Sequence, residues 1–222
     1  MVRLTVLFVA LLLIGSCAGV GTHNTPYGFE PGDLIEGVPV GWHGSSGDPA
    51  KTIVGIDRTI KHGGLCSFAF QSNDSDVITQ FNQVIQPGEY AGHRVRFQAY
   101  VRTRGVRDSA GLWLRADTKD KACVAFDNML KRRIKGTTEW DCYSIVVDIP
   151  ENARSIHYGI LLEGRGQVWI DDCSFEIVGD EVWATARMSK GFDRKHRTSG
   201  WTLRYPANLG FEGGAGQRQA WH

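Results

Sequence analysis

The sequence predicts an all-β protein, a two-sheet antiparallel β-sandwich, and three observations carry the prediction. The 222-residue chain holds 27 glycines, and these, with Pro, Asn and Asp, divide it into about ten short apolar runs. No stretch sustains the 3.6-residue period of an amphipathic helix. Where the runs are clearest, apolar and polar residues alternate: Val95, Phe97, Ala99 and Val101 against Arg94, Arg96, Gln98, Tyr100 and Arg102. That period of two belongs to a strand with one buried face.

Taken in order, residues 1–17 are set apart from the fold. Arg3 supplies a positive start, and the apolar run that follows, residues 4–14, is too short to span a bilayer. This is an export signal. Its end, Ile14-Gly15-Ser16-Cys17, resembles a bacterial lipobox, making Cys17 a candidate for lipidation and a membrane anchor; cleavage near Ala18 or Gly19 is the alternative. Either outcome places the chain in the bacterial cell envelope or outside the cell. Residues 18–26 read as a tether.

The candidate domain runs over residues 27–178. It opens with Tyr27-Gly28-Phe29-Glu30, a turn at Pro31-Gly32, and Val38-Pro39-Val40-Gly41-Trp42. Residues 43–50 are rich in Gly, Ser, Asp and Pro and read as a loop. Strand-like runs follow at 52–57, 65–71, 77–85, 93–103, 110–117 and 123–126. In the run at 110–117, Leu112 and Leu114 face one way and Trp113, Arg115 and Asp117 the other. Residues 127–138 read as a long polar loop, before strands at 140–149, 155–162 and 167–178. Residues 179–222 show neither period. Within them Pro206-Ala207-Asn208-Leu209-Gly210-Phe211-Glu212-Gly213-Gly214 echoes the opening motif Tyr27-Gly28-Phe29-Glu30-Pro31-Gly32, as the start of a truncated second copy or by chance.

Composition excludes more than it assigns. With 25 Lys+Arg against 24 Asp+Glu the net charge is +1, so no field draws nucleic acid, and none is expected as a partner. The basic run of Lys131, Arg132, Arg133 and Lys135 lacks interleaved aromatics and reads as a solvated loop or an anion-attracting one. In an exported protein Cys66, Cys123, Cys142 and Cys173 are an even set; disulfides and free core thiols both remain open. No GxSxG, HExxH or phosphate-loop pattern is present. Asp171 and Asp172, adjacent in a strand, point to opposite faces and cannot act as a glycosidase pair. Asp171 is expected to face solvent.

The opening Gly-Phe-Glu, the Pro39-Val40-Gly41-Trp42 that follows, and the closing Val168-Trp169-Ile170-Asp171-Asp172-Cys173-Ser174-Phe175 together resemble the β-jelly-roll carbohydrate-binding modules and other galactose-binding-like sandwiches. The resemblance implies a jelly roll whose first and last strands are neighbours. It also implies a structural calcium ion between them, held by Glu30 and Asp172 with nearby backbone carbonyls. The residue-level alternative is that Asp172 caps a turn or pairs with an arginine. A sugar site is expected on the outward faces of the 93–103 and 110–117 strands, at Arg96, Gln98, Tyr100, Trp113, Arg115 and Asp117, the alternative being a solvated face with Trp113 partly covered by the Asp127-Asn128-Met129-Leu130 loop. Aromatic rings there can stack on a pyranose, while Arg, Gln and Asp bond its hydroxyls. The expected function is a non-catalytic, extracytoplasmic carbohydrate-binding module. The alternatives are a structural or sensory protein-interaction domain of an exported lipoprotein and a hydrolase with its site in the 127–140 loop.

Overall fold

The computed structural model describes residues 34–46, 48–186 and 202–213. The stretches expected to be an export signal, a lipidated Cys17 and a tether, together with Tyr27 to Glu30, lie outside the described residues. Ten strands occur among those described: β1 (Leu34–Glu36), β2 (His43–Ser45), β3 (Thr52–Asp57), β4 (Ser67–Ser72), β5 (Ile78–Ile85), β6 (Arg94–Asp117), β7 (Cys123–Asp127), β8 (Ile134–Asp148), β9 (Ser155–Glu163) and β10 (Gly166–Ile177). Two stretches expected as loops are partly strand. β2 lies within 43–50, where it pairs with β5, and β8 begins at Ile134, inside 127–138.

All of these strands pair antiparallel, in the order β1-β3-β4-β10-β6-β9-β5-β2, with β7 and β8 also on β6. β6 organises the molecule. The runs at 93–103 and 110–117, expected as two strands, are one 24-residue strand. Its first half pairs with β10 and β8, its second with β9 and β7. Between the halves the register with β8 shifts three times, and Gly105 takes φ +59°, a left-handed conformation that favours glycine. There the inward parity changes, from Val95, Phe97, Ala99 and Val101 to Ala110, Leu112, Leu114 and Ala116, all fully buried. The strand thereby passes from one layer of the sandwich to the other.

Rings from both layers meet in the core. Phe68 on β4 meets Phe81 on β5 at 4.9 Å between ring centroids. Tyr158 on β9 reaches Phe97 on β6 at 4.8 Å and Phe175 on β10 at 4.6 Å. Such pairs add about 0.5–1.5 kcal/mol to the area they bury. Tyr158 is fully buried, its hydroxyl donates to Gln83 Oε1 at 2.6 Å, and burial pushes its phenol far up, so it stays neutral. Gln83 Oε1 also accepts the Ala207 N–H at 3.1 Å. Tyr158→Phe therefore leaves no orphaned acceptor and is expected to cost only about 1 kcal/mol in a denaturant titration.

The described part of the 179–222 stretch is integrated with the sandwich. Leu203 bridges in parallel to Ile85, and Phe211 is fully buried against Trp42 and Phe68, ring centroids 5.3 and 5.7 Å apart. The four described cysteines are free thiols, Cys66 and Cys173 buried and Cys142 exposed.

Candidate functional site

The paired aspartates sit where β10 leaves regular alternation. Register with β6 shifts between Asp171 and Ser174, and Asp172 takes φ +44°. The expectation that Asp171 faces solvent is corrected: it is 1% exposed, because the 58–64 loop folds over it. Asp171 Oδ2 accepts the N–H of His62 at 2.9 Å and of Gly63 at 3.1 Å, and Oδ1 accepts that of Asp172 at 2.8 Å. Burial raises its carboxyl above the ordinary range, and these three donors partly oppose the rise. Asp172 is the more exposed of the two, and Oδ2 meets His62 Nδ1 at 2.6 Å. His62 in turn stacks on Tyr100 at 3.6 Å between centroids, with Trp140 edge-on at 5.9 Å. The pair thus anchors a loop.

That arrangement bears on the expected calcium. Among the described residues, no cluster of three or more His, Cys, Asp or Glu could hold a metal ion. Asp171 spends its oxygens on the N–H groups of His62, Gly63 and Asp172. Asp172 is engaged by an imidazole. Glu30 lies outside the described residues.

The six expected ligand residues fall into two groups, because the halves of β6 belong to different layers. Arg96, Gln98 and Tyr100 face outward on the first layer. There Arg96 is spent on Glu176, at 2.9 Å from Nε and 2.7 Å from Nη2, and Tyr100 lies under His62. Trp113, Arg115 and Asp117 point away from the core on the second layer, yet they are only 6%, 4% and 8% exposed. An outward face this dry is covered by neighbouring parts of the chain.

Its construction follows from register. Trp113 stands opposite Gly159 on β9, which stands opposite Asn82 on β5 and then His43 on β2. One step along, Arg115 stands opposite His157. Arg115 Nε bonds Asp117 Oδ1 at 2.6 Å, and His157 Nε2 lies 3.7 Å from Asp117 Oδ2 and 3.0 Å from Ser155 Oγ. The Trp113 indole N–H is buried and has no hydrogen-bond partner among the described residues. His157 and Asn82, both about as buried as Trp113, were missing from the expected site. Alternation in β9 marks His157, flanked by the inward Ile156 and Tyr158, as outward.

The basic loop closes one side of this face. Met129 Sδ accepts the Leu112 N–H at 3.2 Å, and the Met129 side chain lies over Gly111. Asp127 accepts the Met129 N–H at 2.8 Å and pairs with Arg132. Arg133 bonds Ser109 Oγ at 2.6 Å and pairs with Glu163. Beyond Met129, an open cleft of about 850 Å³ is lined by Asp76, Asp108, Ser109, Lys131, Arg133 and Glu163. Both carboxylates of the 127–140 loop pair with arginines, Asp127 with Arg132 and Glu139 with Arg102 at 3.3 Å.

The fold is a β-sandwich of the jelly-roll kind. No protein-family model matches the chain. It is 37% identical over 175 residues to YbfP, an uncharacterized HTH-type transcriptional regulator of Bacillus subtilis (strain 168), across 78% of this chain and 56% of that protein. The chain thus spans little more than half the length of this relative. Among solved structures, the enzymatically active domain of bacteriophage CBA120 tailspike protein 4 matches with a TM-score of 0.51 and 12% identity, over 63% of this chain and 20% of that one. Carbohydrate-binding modules are also structural neighbours. The CBM22-1 xylan-binding domain from Paenibacillus barcinonensis Xyn10C has a TM-score of 0.48 at 11% identity, over 64% of this chain and 89% of that one.

Proposed function

We propose that this chain is a non-catalytic carbohydrate-binding module whose ligand is taken by the outward face of the β5-β9-β6 layer, at Trp113. The observation that carries this reading is the buried indole N–H without a partner. Leaving such a donor unsatisfied costs about 1–3 kcal/mol, and a ligand hydroxyl is a suitable acceptor. A pyranose also offers C–H groups to the indole face. Arg115, Asp117 and Asn82 add the few oriented polar groups that a sugar site needs. The sequence resemblance supports the same class. Export, with a lipid on Cys17 or by simple cleavage, belongs to the proposal as well. A glycan array probed with the whole chain tests it: retention of at least one polysaccharide that Trp113→Phe weakens supports the reading, and no retention across the array opposes it.

A second reading has one observation in its favour, the regulator to which the chain is 37% identical. On that reading the sandwich is a sensory domain that contacts protein. It predicts no retained glycan, with Trp113 substitutions changing stability alone.

Calcium between Glu30 and Asp172 remains part of the proposed module. The ion has to displace His62 from Asp172 Oδ2, which the imidazole holds at 2.6 Å. If it binds there, added calcium raises the melting temperature and Asp172→Asn removes the rise. A melting temperature that neither chelator nor calcium moves excludes a stabilising ion.

A further inference from the structure

Phe211 and Glu212 fill a slot whose requirements can be read one by one. The Phe211 ring enters between Trp42 and Phe68 and is fully enclosed. Glu212 Oε1 accepts the Leu65 N–H at 2.7 Å, and a Cβ on Gly64 would come within 1.9 Å of that oxygen, so the carboxylate lies directly on the glycine backbone. The Leu209 carbonyl accepts the Cys173 N–H at 3.0 Å, tying the segment to the bulge of β10. The Cys66 thiol lies 3.5 Å from the Phe211 carbonyl and 3.9 Å from Glu212 Oε2. The slot therefore asks for an aromatic ring, a carboxylate on the next residue and a carbonyl two residues before the ring.

The chain contains that pattern twice. Tyr27-Gly28-Phe29-Glu30-Pro31-Gly32 and Leu209-Gly210-Phe211-Glu212-Gly213-Gly214 are identical at four of six positions, the Gly-Phe-Glu and the final Gly. Upstream they diverge. Asn208 takes φ +48°, a value closed to proline, the residue type at the equivalent position 26. The two copies can share the slot only from Tyr27 or Leu209 onward.

We propose that this slot is a docking surface for Gly-Phe-Glu segments as such, that Tyr27 to Gly32 is its second occupant, and that the two copies compete for it. Burying one phenylalanine ring contributes a similar amount whichever copy supplies it, so the choice rests on the flanking contacts. For the C-terminal copy these are the pairing of Leu203 with β5 and of Ala207 with Gln83.

Disulfide trapping at the native Cys66 tests this in the full chain, with Cys17, Cys123 and Cys142 replaced by serine. Glu212→Cys and Glu30→Cys are oxidised separately and the pairs identified by peptide mass mapping. Both are expected to pair with Cys66, Glu30→Cys at the lower yield and several-fold more when Phe211→Ala vacates the slot. Pairing of Glu212→Cys but not Glu30→Cys, with or without Phe211→Ala, overturns the proposal. So does failure of Glu212→Cys to pair. Should Phe211→Ala unfold the chain, Glu30→Cys with the slot otherwise intact decides, because any specific pairing with Cys66 rather than Cys173 requires Glu30 to reach the slot.

Discussion

Replacing Asp171 with alanine is expected to lower the folding free energy by about 3 kcal/mol or more, a drop in melting temperature of roughly 6–12 °C for a chain of this size. Three backbone N–H groups lose their only described acceptor: those of His62, Gly63 and Asp172. Water cannot replace it where the side chain is 1% exposed, and each stranded donor costs about 1–3 kcal/mol. The loss propagates. The 58–64 loop is pinned by these bonds, and its release frees His62 from Asp172 and from its stack on Tyr100. Asp171→Asn is expected to be intermediate, at about 2 kcal/mol, since an amide offers one oxygen and turns its NH2 toward a donor. A solvent-facing aspartate in the same place would change stability by no more than about 0.5 kcal/mol on substitution. A denaturant titration of the three proteins separates the two cases.

Trp113→Ala is expected to abolish measurable glycan binding, a loss of roughly 2–4 kcal/mol or about 30- to 1,000-fold in affinity, as for other aromatic anchors. The alanine variant is also destabilised, because the side chain is 94% removed from solvent even though it points away from the core. Trp113→Phe avoids that ambiguity. It keeps an aromatic platform and removes only the N–H, so stability is expected to hold or rise slightly as a buried unpaired donor disappears. Affinity is expected to fall about five- to tenfold, the worth of one hydrogen bond. Binding measured by retention on immobilised polysaccharide, together with a melting curve for each variant, keeps the two effects apart.

Alternation alone makes much of this fold legible in the sequence. The inward residues of both halves of β6 follow from it, since a strand with one wet and one dry face writes its orientation into every second residue. What alternation could not show is where it stops holding. The shift of parity between Thr103 and Ala110 joins two runs that look independent into one strand. The 58–64 loop, folded over Asp171, buries an aspartate that strict pleating left in water. Nor does alternation tell whether an outward face is wet: Trp113, Arg115 and Asp117 point away from the core and are still buried. Placing Arg96, Gln98 and Tyr100 beside them required the two halves of β6 to lie in one layer, and the bend separates them. Strand β8 escaped notice at its start because residues 135–137 are exposed and carry no apolar signal. The echo of Gly-Phe-Glu was visible as a repeat. That Phe211 docks between Trp42 and Phe68 depends on tertiary packing across more than 140 residues of chain, which no local pattern contains.

The most direct measurement follows the Trp113 indole N–H itself, by NMR of nitrogen-15-labelled protein, with the resonance assigned through its absence in Trp113→Phe. On titration with an oligosaccharide from a retained polysaccharide, that resonance is expected to move in proportion to occupancy, as the unpaired donor acquires a hydroxyl acceptor. A Trp113 resonance that stays in place while the sugar binds and other resonances move, or a spectrum that no glycan perturbs, contradicts the account.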